Sequence, residues 1–195
     1  GRRTGVKVEI SHVKCKGPSV WGKGRQILEM MEQGISEGID LAGDQYPYTA
    51  SSTFLSQALI PQWALAGGRN ATTSLINDAD EKQNLLVAIH ERIAQYGTPE
   101  NVVISRHSPN PKFEGMTLAE IAKHNHSTAE ESAIELFLES DGGVILHTYS
   151  ADDVETIAQS SLISVGSDGS SLSTKGPLSS GKPHPRNFGT FPRFI

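Results

Sequence analysis

Apolar and polar residues alternate near the start of the chain, with Val6, Val8 and Ile10 on one side and Lys7, Glu9 and Ser11 on the other. This period of two predicts a strand and carries His12 and Lys14 to the valine face. Because a strand covered on both faces is apolar throughout, Lys7 and Glu9 belong to its solvent-exposed start. Gly17-Pro18-Ser19 marks a loop, after which Ile27, Leu28, Met31 and Ile35 fall at helical spacing and Gly38 stops the helix. Residues 39–43 predict a second short strand. Asp44-Gln45-Tyr46-Pro47-Tyr48-Thr49-Ala50-Ser51-Ser52-Thr53 then predicts a polar and aromatic loop suited to lining a pocket.

From residue 54 to 111 the pattern changes, with a long helix predicted over 78–95 (Leu85, Leu86, Ile89 and Ile93 on one stripe) before a strand at Val102-Val103-Ile104. Three capping boxes announce further helices: Thr117 with Glu120, Thr128 with Glu131, and Ser150 with Asp153 as a weaker variant. The middle helix is expected to bury Ile134, Phe137 and Leu138. Val144-Ile145-Leu146-His147 reads as another strand, and Leu162-Ile163-Ser164-Val165 as a buried one that runs into Gly166-Ser167-Asp168-Gly169. Residues 170–193 form a Ser/Gly/Pro loop far longer than a connection requires, which points to a functional role.

Alternating strands and helices predict an α/β fold with parallel strands. They are too few for a closed barrel of eight strands, which needs roughly 250 residues. The expected architecture is a partial TIM (β/α) barrel of about its last three strands, with an inserted helical lid. Residues 1–53 would hold two barrel strands and their helix, 54–127 the insertion, and 128–195 the final strand and the long loop. In such a barrel the reactive groups stand at the carboxyl ends of the strands, so Asp168 is the first place to look for chemistry.

With 195 residues, 36% of them hydrophobic, the chain can bury an ordinary core. A net charge of -5, a pI near 5.8 and the lack of a long basic run argue against nucleic acid or an anionic membrane as partner. Cys15 is the single cysteine, which excludes a disulfide within the chain, fits a reducing compartment and makes a cytoplasmic location the expectation. There is no initiator Met, Gly1-Arg2-Arg3-Thr4-Gly5 reads as the basic last turn of a helix with its terminating Gly, and Phe191-Pro192-Arg193-Phe194-Ile195 stops while apolar residues are still arriving. A piece of a longer polypeptide is expected, with the remainder of that polypeptide as its partner.

Two readings stay open for each candidate residue. A histidine at a strand end is either a ligand or a hydrogen-bonded core residue, and Asp168 before Gly169 is either a catalytic carboxylate or an Asx-turn. Arg186 could pair with an acid at a domain edge, and Lys14 could be a solvated amine. His107, His124, His126 and His147 have no metal-ligand spacing and read as surface or cap residues, His147 at a strand end being the one to watch. Trp21 and Trp63 read as packing residues.

Four stretches in order, Val8-Glu9-Ile10-Ser11-His12-Val13-Lys14, 44–53, Gly166-Ser167-Asp168-Gly169 and His184-Pro185-Arg186-Asn187-Phe188-Gly189-Thr190-Phe191-Pro192-Arg193, together resemble the N-acyl-D-amino-acid deacylases (D-aminoacylases) of the metal-dependent amidohydrolase superfamily. The resemblance implies that His12 is the zinc-ligating histidine after the sixth barrel strand. It implies that Asp168, after the eighth, is the general base and a weak second-metal ligand, while Lys14, Tyr46, Ser52 and Arg186 line the site for an N-acyl amino acid. Zinc lowers the pKa of a bound water to about 7, and Asp168 could move its proton to the departing amine. Lys14 and Arg186 would meet the substrate carboxylate, and Tyr46 and Ser52 could donate to it or to the oxyanion. The first-strand His-x-His pair, the bridging ligand and the fifth-strand histidine of the family are absent from these 195 residues and expected upstream. His12 and Asp168 alone are short of the three protein ligands that catalytic zinc takes, and Cys15 reads as a bystander. Competing readings are a cyclic amidase of the same superfamily, like the hydantoinases and dihydroorotases, and a non-catalytic fragment.

Overall fold

The computed structural model describes residues 1–195. Its elements run β1 (Val8–Ile10), α1 (Gly24–Ser36), β2 (Leu41–Gln45), β3 (Ala50–Phe54), α2 (Leu55–Leu59), α3 (Gln62–Leu65), α4 (Gly68–Asn77), α5 (Ala79–Tyr96), β4 (Val102–Arg106), α6 (Leu118–Asn125), α7 (Ala129–Glu139), β5 (Gly143–His147), α8 (Ala151–Ala158), β6 (Ile163–Val165) and α9 (Arg186–Phe194). They divide into two compact units. The first is Gly1–Thr49, Thr148–Leu178 and Pro185–Ile195, and the second is Ala50–His147 with Ser179–His184.

In the first unit β1, β2 and β6 form a parallel sheet in that order, with Ile10 opposite Gly43 and Gln45 opposite Val165. The three carboxyl ends therefore lie along one edge. Val13, Leu28, Met31 and Ile157 make the core, with Ile27, Leu41, Leu162 and Ile163 against it, so the helical stripe of α1 faces α8 and the sheet. Each such side chain contributes roughly 1.5–3 kcal/mol by leaving water. β6 is less covered than its apolar run predicts, since Ser164 is exposed and the strand lies at the sheet edge. The weak capping box at Ser150 does not form. Ser150 caps nothing, and the buried Asp153 instead accepts from the N–H groups of Gly22 (2.8 Å) and Gly24 (2.7 Å), which ties the start of α1 to α8. The other two capping boxes form in full, in the second unit.

The second unit is built on an antiparallel sheet, ordered β3, β5, β4. The expectation of parallel strands throughout is therefore corrected for this half: 50–53 is strand rather than loop, and Val144-Ile145-Leu146 pairs with β3 and β4. A run of apolar residues announces a buried strand but carries no direction, and the shared hydrogen bonds decide it. This sheet takes β5, from a stretch assigned on sequence to the final barrel region, into the second unit. Ala50 and His147, the first and last residues of its main segment, are direct register partners. Helix α5 starts on Asp78, whose carboxylate accepts from the N–H of Asp80 and of Glu81, and it buries Leu85, Ile89 and Ile93 as its stripe predicts. In α7 Ile134 and Phe137 are buried, but Leu138 is 38% exposed, one position off the covered face. His107, expected at the surface, is wholly buried with Nε2 at 3.1 Å from the Leu136 carbonyl oxygen. His126 is the left-handed cap of α6. Trp21 and Trp63 remain about half exposed and are not core. No helix is long and apolar enough to cross a membrane.

Candidate active site

The sheet of the first unit delivers its reactive side chains at the carboxyl edge. β1 ends at Ile10 and the chain turns sharply at His12, whose φ of 54° is in the left-handed region. The alternation that put His12 on the valine face does not reach it. Its backbone N–H donates to Asp44 Oδ1 at 2.8 Å, so the penultimate residue of β2 holds the turn in place. Asp168, three residues beyond β6, is also left-handed, at φ 47°. Two non-glycine residues held this way cost of order 1 kcal/mol each, a strain found where side chains must be aimed. β6 approaches Asp44 closely: a Cβ on Gly166 would come within 2.7 Å of its carboxyl carbon.

The two residues meet. His12 Nε2 is 3.2 Å from Asp168 Oδ1, and Arg186 Nη1 is 2.6 Å from Asp168 Oδ2. The carboxylate is thus engaged at both oxygens by side chains rather than by its own backbone, which disposes of a mere Asx-turn. The Arg186 side chain is 10% exposed and that of Asp168 35%, so the guanidinium is sunk while the carboxylate still meets solvent. Arg186 is not in a loop as expected but opens α9. Pro185 stands at the N-cap of that helix, Pro192 falls in its last turn, and the Thr190 hydroxyl donates to the Arg186 carbonyl oxygen.

Lys14 and Tyr46 complete the cluster. Lys14 Nζ donates to the Tyr46 hydroxyl at 2.5 Å and lies 4.0 Å from the Tyr46 ring centroid and 5.2 Å from that of Tyr149. The Arg186 guanidinium stacks over the Tyr46 ring at 5.0 Å. Burial, then the neighbouring Arg186, push the Lys14 amine down from 10.5 to about 7, against the pull of Asp168 and Asp44. Burial also drives the Tyr46 hydroxyl upward, with Tyr149 adding to it. Five of the six site residues named from sequence, His12, Lys14, Tyr46, Asp168 and Arg186, therefore stand together in the first unit. Ser52 stands in the second, on β3 opposite Ile145. Sequence reading missed Asp44, counted as the start of a loop, and Tyr149, an aromatic residue two positions beyond a strand end. Cys15 is buried, with its thiol pushed up by burial and by Asp153, as for an inert core cysteine.

No family model matches the chain. Over all 195 residues it is 30% identical to an N-acyl-D-glutamate deacylase and 27% identical to a D-aminoacylase, both of Alcaligenes xylosoxydans xylosoxydans. Among solved structures, the N-acyl-D-glutamate deacylase of Bordetella bronchiseptica, complexed with zinc and a phosphonate mimic of the tetrahedral intermediate, matches 100% of the chain at 27% identity with a TM-score of 0.67. The chain is similar along its whole length to these deacylases. It spans 30% and 31% of the two curated relatives and 34% of the Bordetella enzyme. A D-aminoacylase with a binuclear metal centre matches 99% of the chain at 28% identity and a TM-score of 0.66, the chain covering 31% of it.

The cluster holds a donor pair of a kind that zinc accepts. Two donors bound at 2.0–2.2 Å to one tetrahedral zinc stand about 3.4 Å apart, and imidazole with carboxylate is a donor pair zinc accepts. His12 Nε2 and Asp168 Oδ1 at 3.2 Å meet that condition. No group of three or more His, Cys, Asp or Glu able to hold a metal occurs in the structure, so further ligands would have to come from outside these residues.

Proposed function

We propose that this chain is the part of a zinc-dependent N-acyl-D-amino-acid deacylase that carries the last three strands of its (β/α) barrel, with the second unit as an insertion in chain order. The observation that carries the reading is the meeting of His12, Asp168 and Arg186 at the carboxyl edge of a parallel sheet, in a chain similar to these deacylases along its whole length. Zinc, when bound with His12 and Asp168 among its ligands, supplies a water acidified toward neutral pH. Asp168 takes up a proton at its carboxylate and hands it to the departing amine. Arg186 holds that carboxylate at Oδ2, so its direction is set before substrate arrives. Lys14, with Arg186 behind it, presents positive charge to the substrate carboxylate, and Tyr46 orients the amine through the hydrogen bond between them. Ser52 is assigned to the substrate site on the resemblance alone.

The full-length protein, supplied with zinc, tests this against N-acyl-D-amino acids, their L-enantiomers and hydantoins. Release of free D-amino acid is the expected result. Turnover of the ring substrates alone would replace the reading by a cyclic amidase, and no turnover of any with zinc bound would refute it.

A further inference from the structure

The Lys14 amine is held by more than its hydrogen bond. Tyr149 is 7% exposed, its ring centroid stands 5.2 Å from Lys14 Nζ, and its backbone N–H donates to the Thr49 carbonyl oxygen at 3.1 Å. That bond fixes the residue two positions before the start of α8. An ammonium within about 6 Å of a ring centroid is attracted by the ring quadrupole, the more so where water is scarce. Lys14 thus has two aromatic walls, Tyr46 at 4.0 Å and Tyr149 at 5.2 Å. The charged groups that act on it are Arg186, Asp168, Lys16 and Asp44. Arg186 already stacks on the Tyr46 ring, so Tyr46 is shared between two cations, and the Tyr149 ring gives Lys14 a second wall.

We propose that Tyr149 is a positioning residue: its ring, paired with that of Tyr46, holds the Lys14 ammonium at the point where it meets the carboxylate of an N-acyl amino acid. The first half of the statement rests on geometry alone, and the second rests on the function proposed above. Tyr149 acts through Lys14.

The test uses the full-length protein with Tyr149→Leu, which keeps an apolar side chain and removes the ring, and Tyr149→Phe, which keeps the ring and removes the hydroxyl. Crystal structures of the full-length wild type and variants report the place of the Lys14 amine without needing turnover. In Tyr149→Leu the amine is expected to leave its seat against the Tyr46 hydroxyl and ring, because it has lost one attractive wall. KM for an N-acyl amino acid is expected to rise about 3- to 10-fold with kcat nearly unchanged, the intact kcat also showing that the variant folds. Tyr149→Phe is expected to leave the amine in place and to hold KM close to wild type. A Lys14 amine unmoved in Tyr149→Leu overturns the positioning role whatever the substrate is. A displaced amine with unchanged KM upholds the hold on the amine and overturns its meeting with the substrate carboxylate.

Discussion

Replacing Lys14 by Met should stabilise the protein in acid and destabilise it in base. The folded chain holds the amine where its pKa is about 7, whereas in the unfolded chain it keeps its proton up to about 10.5. Between these values the unfolded state binds the extra proton, so stability rises with pH across that window. Below pH 7 the full penalty of charging a half-buried amine beside Arg186 is present. At about 1.4 kcal/mol for each pH unit, that penalty is at most about 5 kcal/mol. Met fills the same space without the charge but removes the amine's hydrogen bond to the Tyr46 hydroxyl, a loss of roughly 1–3 kcal/mol. The variant should therefore be about 2–4 kcal/mol more stable than wild type at pH 6, and about 1–3 kcal/mol less stable above pH 10. Urea unfolding of full-length wild type and variant at pH 6, 8 and 9.5 measures the difference, in which groups common to both cancel. A difference that stays constant over that range would refute the depressed amine.

The same titration should appear in catalysis: kcat/KM for an N-acyl amino acid should fall as pH rises above 7, by up to about tenfold per unit, and this limb should vanish in Lys14→Met. A pH profile identical in the two proteins would contradict it. Asp168→Asn keeps the size of the side chain but removes the proton acceptor, and should lower kcat by about two to four orders of magnitude; undiminished turnover would remove the general base. Asp153→Ala strips a carboxylate from the N–H groups of Gly22 and Gly24 and should destabilise the protein by about 3 kcal/mol. A change below about 1 kcal/mol in chemical denaturation would show that water replaces it.

The sequence made legible whatever depends on local chemistry. The short strand at Val8–Ile10, the stripe of α5, and the boxes at Thr117 and Thr128 each concern residues within one or two turns of each other, and each is found in the structure, although Val6 and Ile10 are exposed and the apolar face read from their alternation is not buried. Partnerships across the chain were not legible. Asp153 has the spacing of a capping residue for its own helix, yet its carboxylate goes to α1, 129 residues earlier at Gly24, and no local pattern could show it. The direction of β5 depends on β3 and β4, not on Val144-Ile145-Leu146 itself. At the site, His12 and Asp168 stood out because strand ends are where reactive side chains collect. Asp44 did not, because its part is to hold the His12 backbone, a role visible only once β1 and β2 lie side by side.

The pairing of Ala50 with His147 bears on how such a chain assembles. Opposed residues in an antiparallel ladder have Cα atoms about 5 Å apart, so a hairpin-like gate stands at the root of the second unit. Once that unit has formed, the long excursion between β2 and β6 is short-circuited, and Gly43 finds Ile163 with far less closure entropy than an open chain of that length would lose. Assembly of the carboxyl edge of the parallel sheet is then gated by a ladder that contributes only one of the six named side chains, and its slow step would be set by antiparallel pairing of β3, β4 and β5.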